Sequence, residues 1–469
     1  MLKIKQNDKK FWDGVFSLDK WPEFIFAHAK IIDRRLIKRL GKIAKALARC
    51  PNDSIPKALT VWSQIKATYN FLGNEKVNYK RILEPVAKST AQLCLNQDVV
   101  LNVQDTSSIS FPNALETTGL GPIYGENTRG LMFHTSLAVS ETGVPMGLFG
   151  IQIWARKYEE FGKKKDRKKK DIDEKESRKW LVGINSARDA MRYISPIKKV
   201  RVIHVGDREE DIFEVLSEIL SSGEGCVIRS AYNRQVFTKK GEGVKAHGYV
   251  HSQKPIGEFC VEVPRKEDKD ERIASLTLRS CSVYLDCEKK KKINLVEVLE
   301  ENPPADVEEP LKWYLWTTEA VDNDGAIIRV IKIYKLRWLI EEYHNILKSG
   351  CRVEKLQLKT AEQIMNAVSI YATVAIRILQ LKKLAQTEPE TPCTKVVTTD
   401  EWEALYSFWN KKRPDATTPL PTISQTMMWI GRLGGHIGRK SDGLPGNRTL
   451  WRGMGRLADM SDLYKVLRI

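Results

Sequence analysis

Between residues 99 and 231 the chain changes its hydrophobic rhythm in an order that few architectures accept. VVLNVQD (99–105) is a β-branched run ending in Asp, and LMFHTSLAVS (131–140) and PMGLFGIQIW (145–154) are two more strand-like runs, with Thr142-Gly143 as the turn between them. SRKWLVGINSARDAMRYI (177–194) has helical spacing. KVRVIHVGD (199–207) is a further apolar strand ending in Asp, REEDIFEVLSEILSS (208–222) reads as a helix, and GCVIRSA (225–231) reads as a fifth strand. Three consecutive strands followed by alternating helix and strand predict an α/β domain. Its mixed sheet is antiparallel in one half and parallel in the other.

The flanks are different in kind. A chain of 469 residues predicts two to four domains. Residues 1–75 read as helical and basic. RRLIKRLGKIAKALARC (34–50) sets Leu36, Ile37, Leu40, Ile43, Ala44 and Leu47 on one face, and a second helix is expected in SIPKALTVWSQIKATYNFLGN, with Ser54 as cap and Gly73 as stop. This part is either a helical DNA-binding module or a plain surface bundle. GEFCVEV, ERIASLTLRSCSVYL and LKWYLWTTE make residues 232–320 an inserted β subdomain. A long helix is predicted from Gly325 to about Ser349, and another over 362–385. TEPETPC (387–393) is a linker to helical segments and to a Gly- and Arg-rich stretch at 431–453. The predicted division is therefore a helical N-terminal domain (1–75), a mixed-sheet domain (76–385) carrying the insert, and a helical C-terminal domain (386–469). The strand and helix order matches the ribonuclease H-like architecture.

Charge narrows the partners. The 77 Lys and Arg outnumber the 59 Asp and Glu, a formal +18. Such a surface concentrates polyanions, nucleic acid foremost, although a basic-surfaced enzyme with another substrate fits as well. The run KKKDRKKK (163–170) is a solvated loop or a phosphate-contacting one. The eight Cys include no CxxC pair, which fits reduced, mostly buried thiols rather than a disulfide framework or zinc knuckle. The start of the chain lacks the apolar segment of a signal peptide, and no apolar run approaches the ~20 residues of a membrane span. A cytoplasmic protein with no membrane partner is expected. The His residues are dispersed, with no H-E-x-x-H pattern, and no G-x-x-x-x-G-K-[ST] loop occurs, which argues against a zinc hydrolase and against nucleotide hydrolysis. His134 and His204 lie in apolar strands and read as hydrogen-bonded core residues.

Chemistry on a phosphodiester without an organic cofactor calls for carboxylates that converge from separate elements to hold divalent cations. Asp105 and Asp207 each stand where an apolar strand ends; taken singly, each could equally be a turn or cap residue. The segment YKLRWLIEEYHNILK is more specific. Tyr334, Arg337, Glu341 and Lys348 are spaced by 3, 4 and 7 residues. At ~100° per residue they fall within an arc of about 60° on one helix. Such a stripe suits a metal-binding acid flanked by phosphate-holding groups. The plainer alternative is an exposed face with Arg–Glu and Glu–Lys pairing. Glu342 lies ~100° away around the helix and is the weaker metal candidate.

The helix segment Y-x(2)-R-x(3)-E-x(6)-K, together with QDTSS (104–108), VGDREED (205–211), DEKESRKWL (173–181) and LGGHIGRKSDGLPGNRTLWRG (433–453), resembles the bacterial cut-and-paste DDE transposases of the insertion-sequence-four family, including the Tn-five type. The resemblance runs from about residue 55 to about 455 and is weaker over the first 50 residues. It implies that Asp105, Asp207 and Glu341 are the catalytic, metal-binding triad, with two Mg²⁺ ions per active site and Mn²⁺ as a substitute. It implies that Tyr334, Arg337 and Lys348 contact DNA phosphates, that Trp313 stacks on a flipped base, and that Arg208 and Arg229 touch the strand beside the metal site. Asn345 departs from the pattern, where a basic residue would add a contact. The implied activity is nicking at transposon ends, hairpin formation and opening, and strand transfer into target DNA, by a homodimer in a synaptic complex joined through the C-terminal region. Two other readings compete: a non-catalytic DNA-binding regulator, and a ribonuclease H-like structure-selective nuclease.

Overall fold

The structure is a computed structural model. It describes residues 21–467 except 30, 32, 126, 161–170, 264–270, 289, 306, 308 and 440–441, so the basic run 163–170 lies outside the described residues. Strand β1 (Val99–Ser110) is followed by the short β2 (Gly121–Pro122), then by β3 (Arg129–Ser140) and β4 (Pro145–Trp154); β3 pairs antiparallel with β1 and with β4. A helix at Arg178–Ile194 leads to β5 (Arg201–Gly206), which lies parallel to β1, and a helix at Phe213–Ser222 leads to β6 (Gly225–Arg229), parallel to β5. The sheet order β4-β3-β1-β5-β6 is ribonuclease H-like, half antiparallel and half parallel. β5 is buried along almost its whole length, as a central parallel strand between helical layers must be.

The insert does not form a sheet of its own. It comprises β7 (Gln235–Phe237), β8 (Gly243–Lys245), β9 (Gly257–Val263), β10 (Arg272–Tyr284), β11 (Lys292–Leu299) and β12 (Lys312–Thr317). β12 pairs antiparallel with β6, and the twelve strands make one continuous sheet. The sequence reading of an inserted β subdomain gave no sign of this, because the partners in the joining register, Leu315↔Arg229 to Thr317↔Val227, lie 86 to 90 residues apart and leave no local signal.

Two predicted helices are broken. The expected helix after Ser54 is split into Ile55–Leu59 and Trp62–Leu72 by Thr60, whose φ of 57° is left-handed, and Ser54 makes no side-chain cap. The expected helix from Gly325 becomes α1 (Asp324–Lys335) and α2 (Trp338–Asn345), with a π-turn over Ile346–Gly350. At the joint the amides of Leu336, Arg337, Leu339 and Ile340 bond to carbonyls three residues back, so the axis tightens there. The helix α3 (Ala361–Thr387) corrects a further expectation. It is long and apolar enough to cross a membrane, yet 94% of its most apolar 18-residue window is buried inside this fold, as befits a central core helix. The N-terminal helix Arg34–Arg49, the sheet and α3 share one apolar cluster, and Arg49 reaches Asp462 of the last helix, Asn447–Leu467, at 2.7 Å.

Candidate active site

β1 and β5 are parallel neighbours in register up to Val103↔Val205. Asp105 and Asp207 each follow two residues beyond that pair, so both carboxylates leave the sheet at the same level. Asp105 is not at a strand end as predicted. β1 continues to Ser110 because the polar TSSIS segment still pairs with β3, with Asp105 opposite Thr135. Asp207 does end its strand, and its carboxylate accepts the Glu209 amide at 2.8 Å, capping a 3₁₀ turn over Arg208–Glu210. The α-helix that was expected from residue 208 begins only at Phe213. Burial and the negative charge of Asp105 push the Asp207 carboxyl up, against the Glu209 amide and the Arg337 guanidinium.

Arg337 sits among the acids. It is ion-paired with Glu341 and lies within electrostatic reach of Asp105 and Asp207. Glu341 is thus linked to the Asp105–Asp207 edge by a guanidinium that pairs with it and lies near both aspartates. Among the described residues no group of three or more His, Cys, Asp or Glu stands close enough to hold a metal. The donor set suits a hard divalent cation in kind, since all three groups are carboxylates and the charges of Asp105 and Asp207 already repel each other, with Glu341 linked to them only by way of Arg337. Glu342 points elsewhere, to Lys382 on α3 at 3.0 Å.

The break between α1 and α2 alters the predicted stripe. Tyr334, near the end of α1, is buried, and its ring lies 6.2 Å from that of Trp313 on β12. Trp313 is half-buried against the core, and the fold therefore joins it to the Tyr334 end of the stripe. Lys348 is half-buried in the π-turn and Asn345 is exposed. Arg208 is exposed and Arg229 half-buried at the end of β6. Their neighbouring acids are engaged by other cations: Glu209 pairs with Lys179 at 3.3 Å and Asp211 with Arg234.

A buried polar layer underlies the two aspartates. Gln104 donates to Glu210 Oε1 at 3.3 Å, and Gln104 Oε1 accepts from His134 Nε2 at 3.1 Å, which leaves His134 Nδ1 to accept the Thr106 hydroxyl at 2.9 Å. Burial drives the His134 imidazole well below its ordinary range, keeping it neutral, and drives Glu210 well above the ordinary carboxyl range. His204 is likewise internal, bonded to Asn102 at 3.0 Å and to Glu224 at 3.3 Å. Sequence reasoning passed over His344. It lies three residues after Glu341, and its place on the inner face of α2 was the available signal. The sequence reading also held that no H-x-x-x-H pair occurs, and the chain corrects it: His247 and His251 stand four residues apart on one helix, a spacing that can seat a metal. Here His247 stacks on Tyr314 and bonds to Ser230 at 2.9 Å, whereas His251 reaches Glu297 at 3.1 Å.

Two family models match the chain: "Transposase DNA-binding" over residues 19–77 and "Transposase Tn5 dimerisation domain" over residues 373–467. Each terminal region thus resembles a transposase segment, a DNA-binding one at 19–77 and a Tn5 dimerisation one at 373–467. Its first described helices belong to the DNA-binding match, and the dimerisation match takes in the second half of α3 and the helices Thr399–Asn410, Ile423–Leu433 and Asn447–Leu467. Of solved structures, a piggyBac transposase synaptic complex with hairpin DNA aligns at 10% identity over 83% of this chain and 68% of that one, with a TM-score of 0.29, a likeness too low to carry an argument.

Proposed function

We propose that this transposase uses Asp105, Asp207 and Glu341 as a DDE-type active site that cuts DNA at transposon ends and joins the freed ends to target DNA. The supporting observation is the placement of Asp105 and Asp207 at one level on adjacent parallel strands, with Glu341 paired to Arg337, a guanidinium that lies near both aspartates. The three carboxylates would hold Mg²⁺, or Mn²⁺ in its place. Such ions, when bound, make water or a 3′-hydroxyl a better nucleophile and offset charge at the scissile phosphate.

The rest falls to the chain. Asp207 carries a carboxylate that is costly to keep charged in its half-buried setting, so it gains from a cation. Arg337 has a carboxylate as its partner in the free protein, and a DNA phosphate is a competing anion for the same fork of N–H donors. Tyr334 and Lys348 flank it for further phosphate oxygens, and Trp313 beside Tyr334 offers an aromatic face to an unstacked base. Arg208 and Arg229 would track the strand. No Ser or Tyr nucleophile is required, because hydrolysis and strand transfer are both in-line displacements at phosphorus, and nicking, hairpin formation, opening and joining can share one site. We assign residues 1–75 to end binding, 76–385 to catalysis and 386–469 to pairing of two protomers on two ends.

The test is Glu341→Gln. It should bind end-containing DNA as the wild type does, while Mg²⁺-dependent nicking falls by ~10³-fold or more. Nicking that survives the substitution removes Glu341 from the site. A strand-transfer assay on pre-nicked ends separates a transposase from a nuclease of the same fold.

A further inference from the structure

His344 lies on α2, buried, with Nδ1 at 3.5 Å from Asp105 Oδ2 and Nε2 at 3.1 Å from the Thr135 hydroxyl. Thr135 is itself the residue opposite Asp105 in the β1–β3 register. The ring is held edge-on against Phe133, centroids 4.9 Å apart, so it cannot swing freely. One imidazole thus joins the strand bearing the first carboxylate, the strand beside it and the helix bearing the third. We infer that His344 is a positioning residue for the active site: it fixes the orientation of the Asp105 carboxylate and keeps α2 docked against β1, so that Asp105 and Glu341 approach a common cation.

The chemistry of the contact supports this. An ionised carboxylate only accepts, so the group facing it must be Nδ1–H, in either charge state of the ring. At 3.5 Å the N–H faces Oδ2 without a full hydrogen bond; it still favours one orientation of the carboxylate and leaves Oδ1 the freer oxygen for a metal. Outer groups that orient a ligating carboxylate in this way are typically worth about 10–100-fold in metal affinity or activity. The inference rests on the reading of Asp105 as a metal ligand.

Two substitutions divide the ring between them. His344→Asn keeps an N–H near the Nδ1 position, facing Asp105, and gives up the Thr135 contact. His344→Gln places its amide near the Nε2 position and gives up Asp105. Each full-length variant, with His344→Ala, is compared for thermal stability, for end-DNA affinity, for Mn²⁺ binding followed by the spin resonance of free Mn²⁺, and for nicking at saturating DNA. The expected result is that Ala and Gln lose roughly 10–100-fold in Mn²⁺ affinity and in nicking while DNA affinity stays within about 2-fold, and that Asn recovers most of both. The assignment is overturned if Gln recovers function and Asn does not, if all three fall equally, or if none falls. Should Ala unfold, the Asn–Gln contrast still decides. Asp105→Asn is the control: if it binds Mn²⁺ and nicks normally, the metal-site reading fails, and not merely the role of His344.

Discussion

Glu210 is fully buried three residues after Asp207, with one carboxyl oxygen accepting from Gln104 and the other against Gly206, where an added Cβ would come within 1.7 Å. Burial, then the charge of Asp207, hold its carboxyl well above the ordinary range, so the folded protein keeps it protonated where the unfolded chain does not. A group raised in the folded state contributes stability that is complete below its ordinary pKa and is lost as pH rises through the folded value. Glu210→Gln keeps the shape and cannot ionise. The variant and the wild type should melt together in acid, and the variant should become progressively more stable than the wild type from the ordinary carboxyl range upward. A difference in melting temperature that does not change with pH would reject this. Arg337 gives a second residue-scale prediction. Removing the guanidinium frees Glu341, so Arg337→Ala without DNA should bind Mn²⁺ about 2–5-fold more tightly, the equivalent of an ion pair of up to ~1 kcal/mol, while losing DNA affinity. Unchanged or weaker Mn²⁺ binding by the DNA-free variant would show that Arg337 does not hold the third carboxylate back.

At the scale of elements, the strands were legible and their joints were not. β4 lies where the alternation of PMGLFGIQIW put it, and the order of strands and helices was enough for the ribonuclease H-like sheet. Asp105 and Asp207 stood out as candidates because apolar runs lead into them, and Tyr334, Arg337, Glu341 and Lys348 because their spacing is regular. The break at Leu336–Arg337 was hidden because no Pro or Gly marks it; tertiary packing imposes it on residues that would accept a straight helix. The role of β12 was hidden for a related reason. Its alternation KWYLWT says strand but not which neighbour, and only the buried Trp316, opposite Ile228 of β6, reveals that the insert extends the mixed sheet. Trp316→Ala should therefore cost about 3–5 kcal/mol. Because the cavity opens at a shared seam, proteolysis of the variant should expose cleavage sites in the insert and in the β5–β6 half together. Cleavage confined to residues 232–320 would mean that the insert is independent after all.

Across the whole molecule, an excess of 18 positive charges makes DNA affinity a matter of counterions before it is one of sequence. The DNA-binding match at 19–77 and the Tn5 dimerisation match at 373–467 support a DNA partner for this basic surface and pairing of protomers. If most of that binding comes from phosphate contacts far from the acids, a substitution that abolishes cutting should leave binding nearly intact. Lys348, half-buried in the π-turn two turns past Glu341, lies at the boundary between the two tasks. If it holds one end-DNA phosphate, Lys348→Ala should lower the slope of log affinity against log salt by about 0.9 while leaving the preference for end sequence over random sequence within about 2-fold. The same change at saturating DNA should slow nicking more than it weakens binding, because a phosphate held beside Glu341 is positioned as well as bound. A variant with an unaltered salt slope would place Lys348 off the DNA, and the path of the strand past the acids would then have to run through Tyr334 and Arg337 toward Trp313 instead.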